Sequence, residues 1–338
     1  MNFLSTEKHK ELLKNVVPAL RWNGEEPLEK HREACEKKLK ALLGIDTFEK
    51  CEDELQIIGE GEIGGNRHIH FVVQTEKDYF VNCHLLLPKD KTAEPLPLCV
   101  ALEGHVSGAH VAIGAVKFPY DEVYISHDVD FCVQAVKRGF AGLAIEQRGF
   151  GQNGGNLENG ATDCHHAAMG AILLGRTLIA ERVWDVQRVL DAVLKHFGDI
   201  VTMNGSILMG ESGGGTATYY TACLEHRFDL YVPIVALCTF KHSIIDISHC
   251  TCNYIPNIAK YFDMGDLAIL IAPKRILVFS TTNDEWSPLV GAKEAYGELE
   301  RIYKAFSAED KCKMLIAEGG HRFFAEQAWE RMLELLEK

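Results

Sequence analysis

From about residue 97 the chain settles into one rhythm: a short run that is apolar throughout, then a longer stretch of helical period. The runs are Leu98–Leu102, Gly142–Ile145, Ser206–Met209, Leu230–Ala236, Arg275–Ser280 and Lys313–Ile316; helical stretches at 179–197, 214–225, 289–306 and 323–336 lie among them. A strand with no polar alternation must be covered on both faces, and a helix between successive strands is the crossover that parallel pairing requires. The pattern therefore predicts an α/β fold, a mostly parallel sheet of about eight strands with helices on both faces. Ahead of it, residues 68–87 alternate around charged turn residues at Glu76–Asp78, which reads as an antiparallel hairpin.

No internal repeat, low-complexity tract or Pro/Ser-rich linker divides the 338 residues, so one main domain over 51–338 is expected, preceded by a helical extension over 1–50. In that extension Leu12, Leu13, Val16, Val17 and Leu20 recur at helical spacing, and a second helical stretch follows Pro27. The segment 237–268 breaks the strand–helix rhythm and reads equally as a lid over a pocket or as surface helices. A net charge of -13 disfavours nucleic acid and anionic membrane surfaces as partners, and leaves a small neutral substrate and homo-oligomer formation open. Charged residues at Glu7, Lys8, Lys10 and Glu11 interrupt the N-terminus where a signal peptide needs an apolar run. Eleven scattered cysteines fit reduced thiols in a cytoplasmic protein better than a disulfide framework.

The chemistry-bearing signal is Gly210-Glu-Ser212-Gly-Gly, placed where an apolar strand meets a helix. A nucleophile on a sharp strand-to-helix turn needs small neighbours so that the backbone can bend and the hydroxyl stays exposed. Serine also needs a base, and the base an orienting acid. Asp284 follows the Arg275–Ser280 run, with Glu285 as its local rival, and His321 follows the Lys313–Ile316 run. Both sit at the carboxyl ends of expected strands, where open parallel sheets bind ligands. Two oxyanion donors are expected, the N–H of Gly213 and that of His105, with Val106 the alternative to the latter. Glu103, Gly104, His165, His166, Glu211 and Trp286 are candidate pocket residues, and Arg148 is expected to tie down the loop after its strand.

Together LEGHVSG, EQRGFGQNGG, GESGGG, TNDEWSP and GGHRFF, in that order between residues 80 and 336, resemble the α/β-hydrolase superfamily, in its dienelactone-hydrolase and acetyl-xylan-esterase-like branch. The resemblance implies an eight-stranded sheet, a Ser-His-Asp triad of Ser212, His321 and Asp284, and hydrolysis of small esters through an acyl-enzyme. The chain departs from that branch by carrying serine in place of the dienelactone hydrolases' cysteine. Its Gly213, Gly214 and Arg322 also stand where acetyl-xylan esterases carry other residues. A sugar ester is one expected substrate; a small-substrate peptidase or amidase of the prolyl-oligopeptidase-like kind, or a non-catalytic binding protein, are the alternatives. Neither Cys164-His165-His166 nor His249-Cys250-Thr-Cys252 alone supplies four metal ligands at suitable spacing, so no metal and no cofactor are expected.

Overall fold

Nine strands hydrogen-bond into one sheet in the computed structural model, which describes residues 3–52, 54–90, 93–155 and 160–337. In chain order they are β1 (Leu55–Ile63), β2 (Asn66–Glu76), β3 (Tyr79–Leu87), β4 (Leu96–Leu102), β5 (Ala141–Ile145), β6 (Val201–Glu211), β7 (Leu230–Ile234), β8 (Arg275–Thr281) and β9 (Cys312–Ala317). Across the sheet they run β1-β2-β3-β5-β4-β6-β7-β8-β9. Every pairing from β5 to β9 is parallel, while β1, β2 and β3 form an antiparallel edge joined to β5. The mostly parallel sheet expected from the sequence is present, with nine strands in place of about eight. The uncounted strand, β1, escapes pattern reading because it is an edge: Ile57 and Ile58 face outward with Glu60 and Glu62, so no buried face marks it.

The helices are α1 (Ser5–Lys14), α2 (Leu28–Leu43), α3 (Asp121–Ile125), α4 (Phe131–Val136), α5 (Cys164–Leu173), α6 (Leu178–Phe197), α7 (Gly213–Leu224), α8 (Ala268–Ile271), α9 (Leu289–Ala305) and α10 (Ala325–Leu336). Two apolar layers cover the sheet. On one face Val100 and Leu102 of β4 join Val183, Val186 and Leu190 of α6, Tyr220 of α7 and Leu299 of α9; on the other, the alternate residues Cys99 and Ala101 join Phe131 of α4 and Trp329 and Met332 of α10. This period-2 division of β4, apolar on both sides, is why the strand reads as an unbroken hydrophobic run. The N-terminal helices dock onto the same molecule: Cys35, Leu39 and Leu43 are buried in the first layer, Arg21 pairs with Asp266 at 2.8 Å, and Arg32 Nε donates to the Ile269 carbonyl at 2.9 Å.

The 237–268 segment folds into short turns, with Cys252, Ile255, Ile258 and Phe262 buried. Ser248, His249 and Cys250 from this segment face the cavity that holds Ser212. The segment is thus a packed wall of that cavity. Among the described residues no helix is long and apolar enough to cross a membrane.

Candidate active site

Ser212 follows β6 directly and serves as the N-cap of α7 at φ 54°, ψ −115°. A non-glycine residue there is strained, at a cost of about 1–3 kcal/mol, and must be held by its surroundings. Its N–H donates to the Ile234 carbonyl at 2.9 Å, and its own carbonyl accepts from Thr216. The glycines are needed for close approach: a Cβ on Gly214 would lie 2.1 Å from the Leu102 carbonyl oxygen, and one on Gly210 would lie 2.5 Å from that of Gly214. The bend therefore presses the start of α7 against the end of β4.

His321, in the loop after β9, places Nδ1 2.8 and 2.9 Å from the two carboxylate oxygens of Asp284, in the loop after β8. Asp284 Oδ1 also accepts from the N–H groups of Trp286 and Ser287 at 2.8 and 2.9 Å, so the carboxylate cannot swing away. Ser287 in turn donates its hydroxyl to the carbonyl of Val235, a buried β-branched residue held at φ 45° just beyond β7. Two strained residues, Ser212 and Val235, thus stand at neighbouring strand ends. His321 and Ser212 face one cavity of about 520 Å³, lined also by Gly104, His105, Glu211, Trp286, Tyr124 and His127. The carboxylate at His321 Nδ1 is that of Asp284 and not that of its neighbour Glu285.

The loop after β4 lies directly over the bend, since a Cβ on Gly104 would be 3.4 Å from that of Ser212. The N–H of Val106 is already donated to the Gly104 carbonyl at 2.8 Å, and His105 itself lines the cavity. Gly213, the first residue of α7, carries an N–H that an α-helix leaves without an internal partner. A buried Ser107–His110–Asp121 network braces this loop from beneath: His110 Nε2 lies 2.9 Å from Asp121, which also accepts from the N–H groups of Lys117 and Phe118.

Three candidate pocket residues fall elsewhere. His165 and His166 are exposed on α5, because Cys164 is the residue that this helix start turns inward and the next two point away from it. Glu103 is buried behind the loop, where it accepts from the Gln147 N–H at 2.9 Å. Tyr124, His127 and Ser248 line the cavity without having been singled out in the sequence, and His249, weighed there only as a metal ligand, lines it too. Tyr124 comes from the short helix α3 and the others from irregular segments, and no period marks them. The structure also joins the two cysteine-bearing runs that the sequence left apart: donor atoms of His105, Cys164, Cys250 and Cys252 all lie within 4.8 Å of one another.

Burial governs the acids nearby. It pushes the Glu211 carboxyl up to about 7, with His321 and Arg322 pulling back. It pushes that of Glu103 up to about 8, with Glu146 adding to the rise. A carboxyl raised on folding stabilises the protein fully below its unfolded value, and that contribution is lost as pH rises through the folded value. Relative to Glu103→Gln, the wild type should therefore lose roughly 2–4 kcal/mol of unfolding free energy between pH 5 and pH 9. Urea unfolding of both proteins across that range checks this; parallel pH profiles would show that Glu103 does not titrate as described.

No protein-family model matches the chain. Over 247 residues it is 26% identical to the Bacillus subtilis (strain 168) protein named "Putative hydrolase YtaP", covering 72% of this chain and 77% of that one. Among solved structures, "a putative acetyl xylan esterase" from Bacteroides fragilis NCTC 9343 matches with a TM-score of 0.76 at 15% identity, covering 94% of this chain and 83% of that chain. A glucuronoyl esterase from Solibacter usitatus matches with a TM-score of 0.69 at 16% identity, covering 96% and 98%. At such identities the likeness is one of fold, and the resemblance to α/β-hydrolase-type esterases carried by the motifs is met at that level.

Proposed function

We propose that the chain is a serine esterase that hydrolyses small carboxylic esters, acylated carbohydrates foremost, by way of an acyl-enzyme. The observation that carries this reading is the convergence on one cavity of Ser212, at a positive-φ bend, and His321, whose Nδ1 is held 2.8 Å from Asp284. In the proposed cycle His321 Nε2 removes the proton of Ser212 as Oγ attacks the ester carbonyl. The Asp284 carboxylate keeps Nδ1 protonated and stabilises the imidazolium. The N–H groups of Gly213 and His105 receive the oxyanion, each contributing about 3 kcal/mol to the transition state. Collapse expels the alcohol, protonated by His321. Water, deprotonated by the same imidazole, then attacks the acyl group and releases the acid and free Ser212.

Carbohydrate esters are favoured as substrates because proteins of this fold include an acetyl xylan esterase and glucuronoyl esterases. None of the eleven cysteines is in a disulfide, which suits a reducing compartment, and we place the enzyme in the cytoplasm. The substrate class is read by comparing acetylated sugars, glucuronate methyl esters and longer acyl esters with aminoacyl amides. Esters of small acids should be cleaved with kcat/KM at least about a hundredfold above the amides. Selective cleavage of the amides would point to a peptidase, and hydrolysis of none of them to a binding protein.

A further inference from the structure

Beside the candidate active site, three thiols and an imidazole from separate segments converge. His105 belongs to the loop after β4, Cys164 opens α5, and Cys250 and Cys252 lie in the wall segment after β7. The Sγ atoms of Cys250 and Cys252 are 3.2 Å apart, and Cys252 Sγ is 3.4 Å from His105 Nε2. All four donors lie within 4.8 Å of one another, although residues 105, 164 and 250–252 are three stretches far apart in the chain. Ligands about 2.0–2.3 Å from a tetrahedral zinc ion stand about 3.5–3.8 Å from each other, so the four donors already enclose a space of that size.

We propose that His105, Cys164, Cys250 and Cys252 bind one zinc ion as a Cys3His site. A second observation, independent of the donor distances, is the charge around them. Arg182 is 2% exposed, donates to the Arg148 carbonyl at 3.1 and 2.9 Å, and lies 3.6 Å from Cys164 Sγ. Among the described residues no carboxylate comes within ion-pair distance of it. A buried cation requires a counter-charge, and the cluster is what stands next to it. Three thiolates, a neutral imidazole and a divalent ion together carry one negative charge, which Arg182 neutralises. Three sulfur donors and one nitrogen in a closed tetrahedron select zinc over the oxygen-seeking cations, and leave no open position for a reacting group.

The site would be structural. It ties the His105 loop, the start of α5 and the cavity wall into one unit, so that the backbone N–H of His105 is held over the Ser212 bend. That last consequence rests on the esterase reading. Metal binding itself does not, and is measured without any substrate.

Zinc should be quantified by inductively coupled plasma mass spectrometry on protein made without a polyhistidine tag in zinc-supplemented medium. About one zinc per chain is expected in the wild type and in Cys51→Ser, falling to under about a tenth in the double variant C250S/C252S. Protein reconstituted with cobalt(II) should show thiolate-to-metal charge transfer and the intense visible bands of a tetrahedral ion. This second readout needs no variant and decides the matter if C250S/C252S does not fold. Sub-stoichiometric zinc in the wild type, undiminished zinc in the double variant, a six-coordinate cobalt spectrum, or a Cys250–Cys252 disulfide in the unreduced protein would each overturn the proposal. Ester hydrolysis persisting in such a protein would leave the proposed catalytic function standing.

Discussion

Ser212→Ala should lower turnover of p-nitrophenyl acetate at least about a thousandfold while leaving the folded state as stable as before. The expectation follows from what the hydroxyl does and does not touch. Ser212 is held by its backbone, through the Ile234 carbonyl and the N–H of Thr216, and the strain at φ 54° is borne equally by alanine. What alanine removes is the atom that would bond to the acyl carbon. The oxyanion donors and the cavity remain, so some acceleration over water survives. His321→Ala should cost about as much, and the double variant scarcely more than either, because nucleophile and base act as one unit. Steady-state kinetics of the three variants, with circular dichroism to confirm folding, is the check. Losses that multiply would contradict a shared mechanism.

Arg148→Ala should destabilise the protein by about 3–5 kcal/mol, a fall in Tm of roughly 5–10 °C, without touching the cavity. Arg148 sits just past β5 and is buried. Its guanidinium makes two 2.7 Å bonds to Asp185 of α6, a third at 2.7 Å to Glu76 at the end of β2, and stacks 4.2 Å over the Tyr79 ring. Asp185 also accepts from Thr75. Removing the guanidinium leaves Asp185 buried without its cation, whereas the half-buried Glu76 keeps Arg176 at 3.0 Å, and the uncompensated charge of Asp185 sets the size of the loss. Arg148→Lys should recover less than half of it, because an ammonium ion cannot serve the Asp185 fork and Glu76 at once. Thermal melts of the two variants decide this; full recovery in the lysine variant would mean that only net charge matters.

The fold was legible wherever burial imposed a period. The runs at β4, β5 and β8, doubly covered, stand out as continuous apolar segments, and α6 and α9 carry clear helical stripes. The edge strand β1 was not legible, because its residues face solvent on both sides. At the candidate site the legible residues were those whose geometry demands a residue type: glycines at 210 and 214, where a Cβ would strike a carbonyl oxygen, and the polar residues Asp284 and His321 at strand ends. Tyr124 reaches the cavity from the one-turn helix α3 and His127 and His249 from irregular turns, where position depends on tertiary packing and no period marks it. His165 and His166 were misplaced for the same reason, since a helix start does not tell which of three consecutive residues turns inward. The meeting of Cys164 with Cys250 and Cys252 is a contact across 86 and 88 residues, and no spacing rule reaches that far.

The central claim, that Ser212 is an activated nucleophile, is tested most directly by covalent labelling. The protein is treated with a fluorophosphonate, digested, and the modified peptide mapped by mass spectrometry, with His321→Ala alongside. The account predicts about one label per chain, on Ser212, with loss of esterase activity in proportion to labelling, and labelling slowed at least about a hundredfold in His321→Ala. Label on a different residue, or esterase activity that survives complete modification of Ser212, would contradict it.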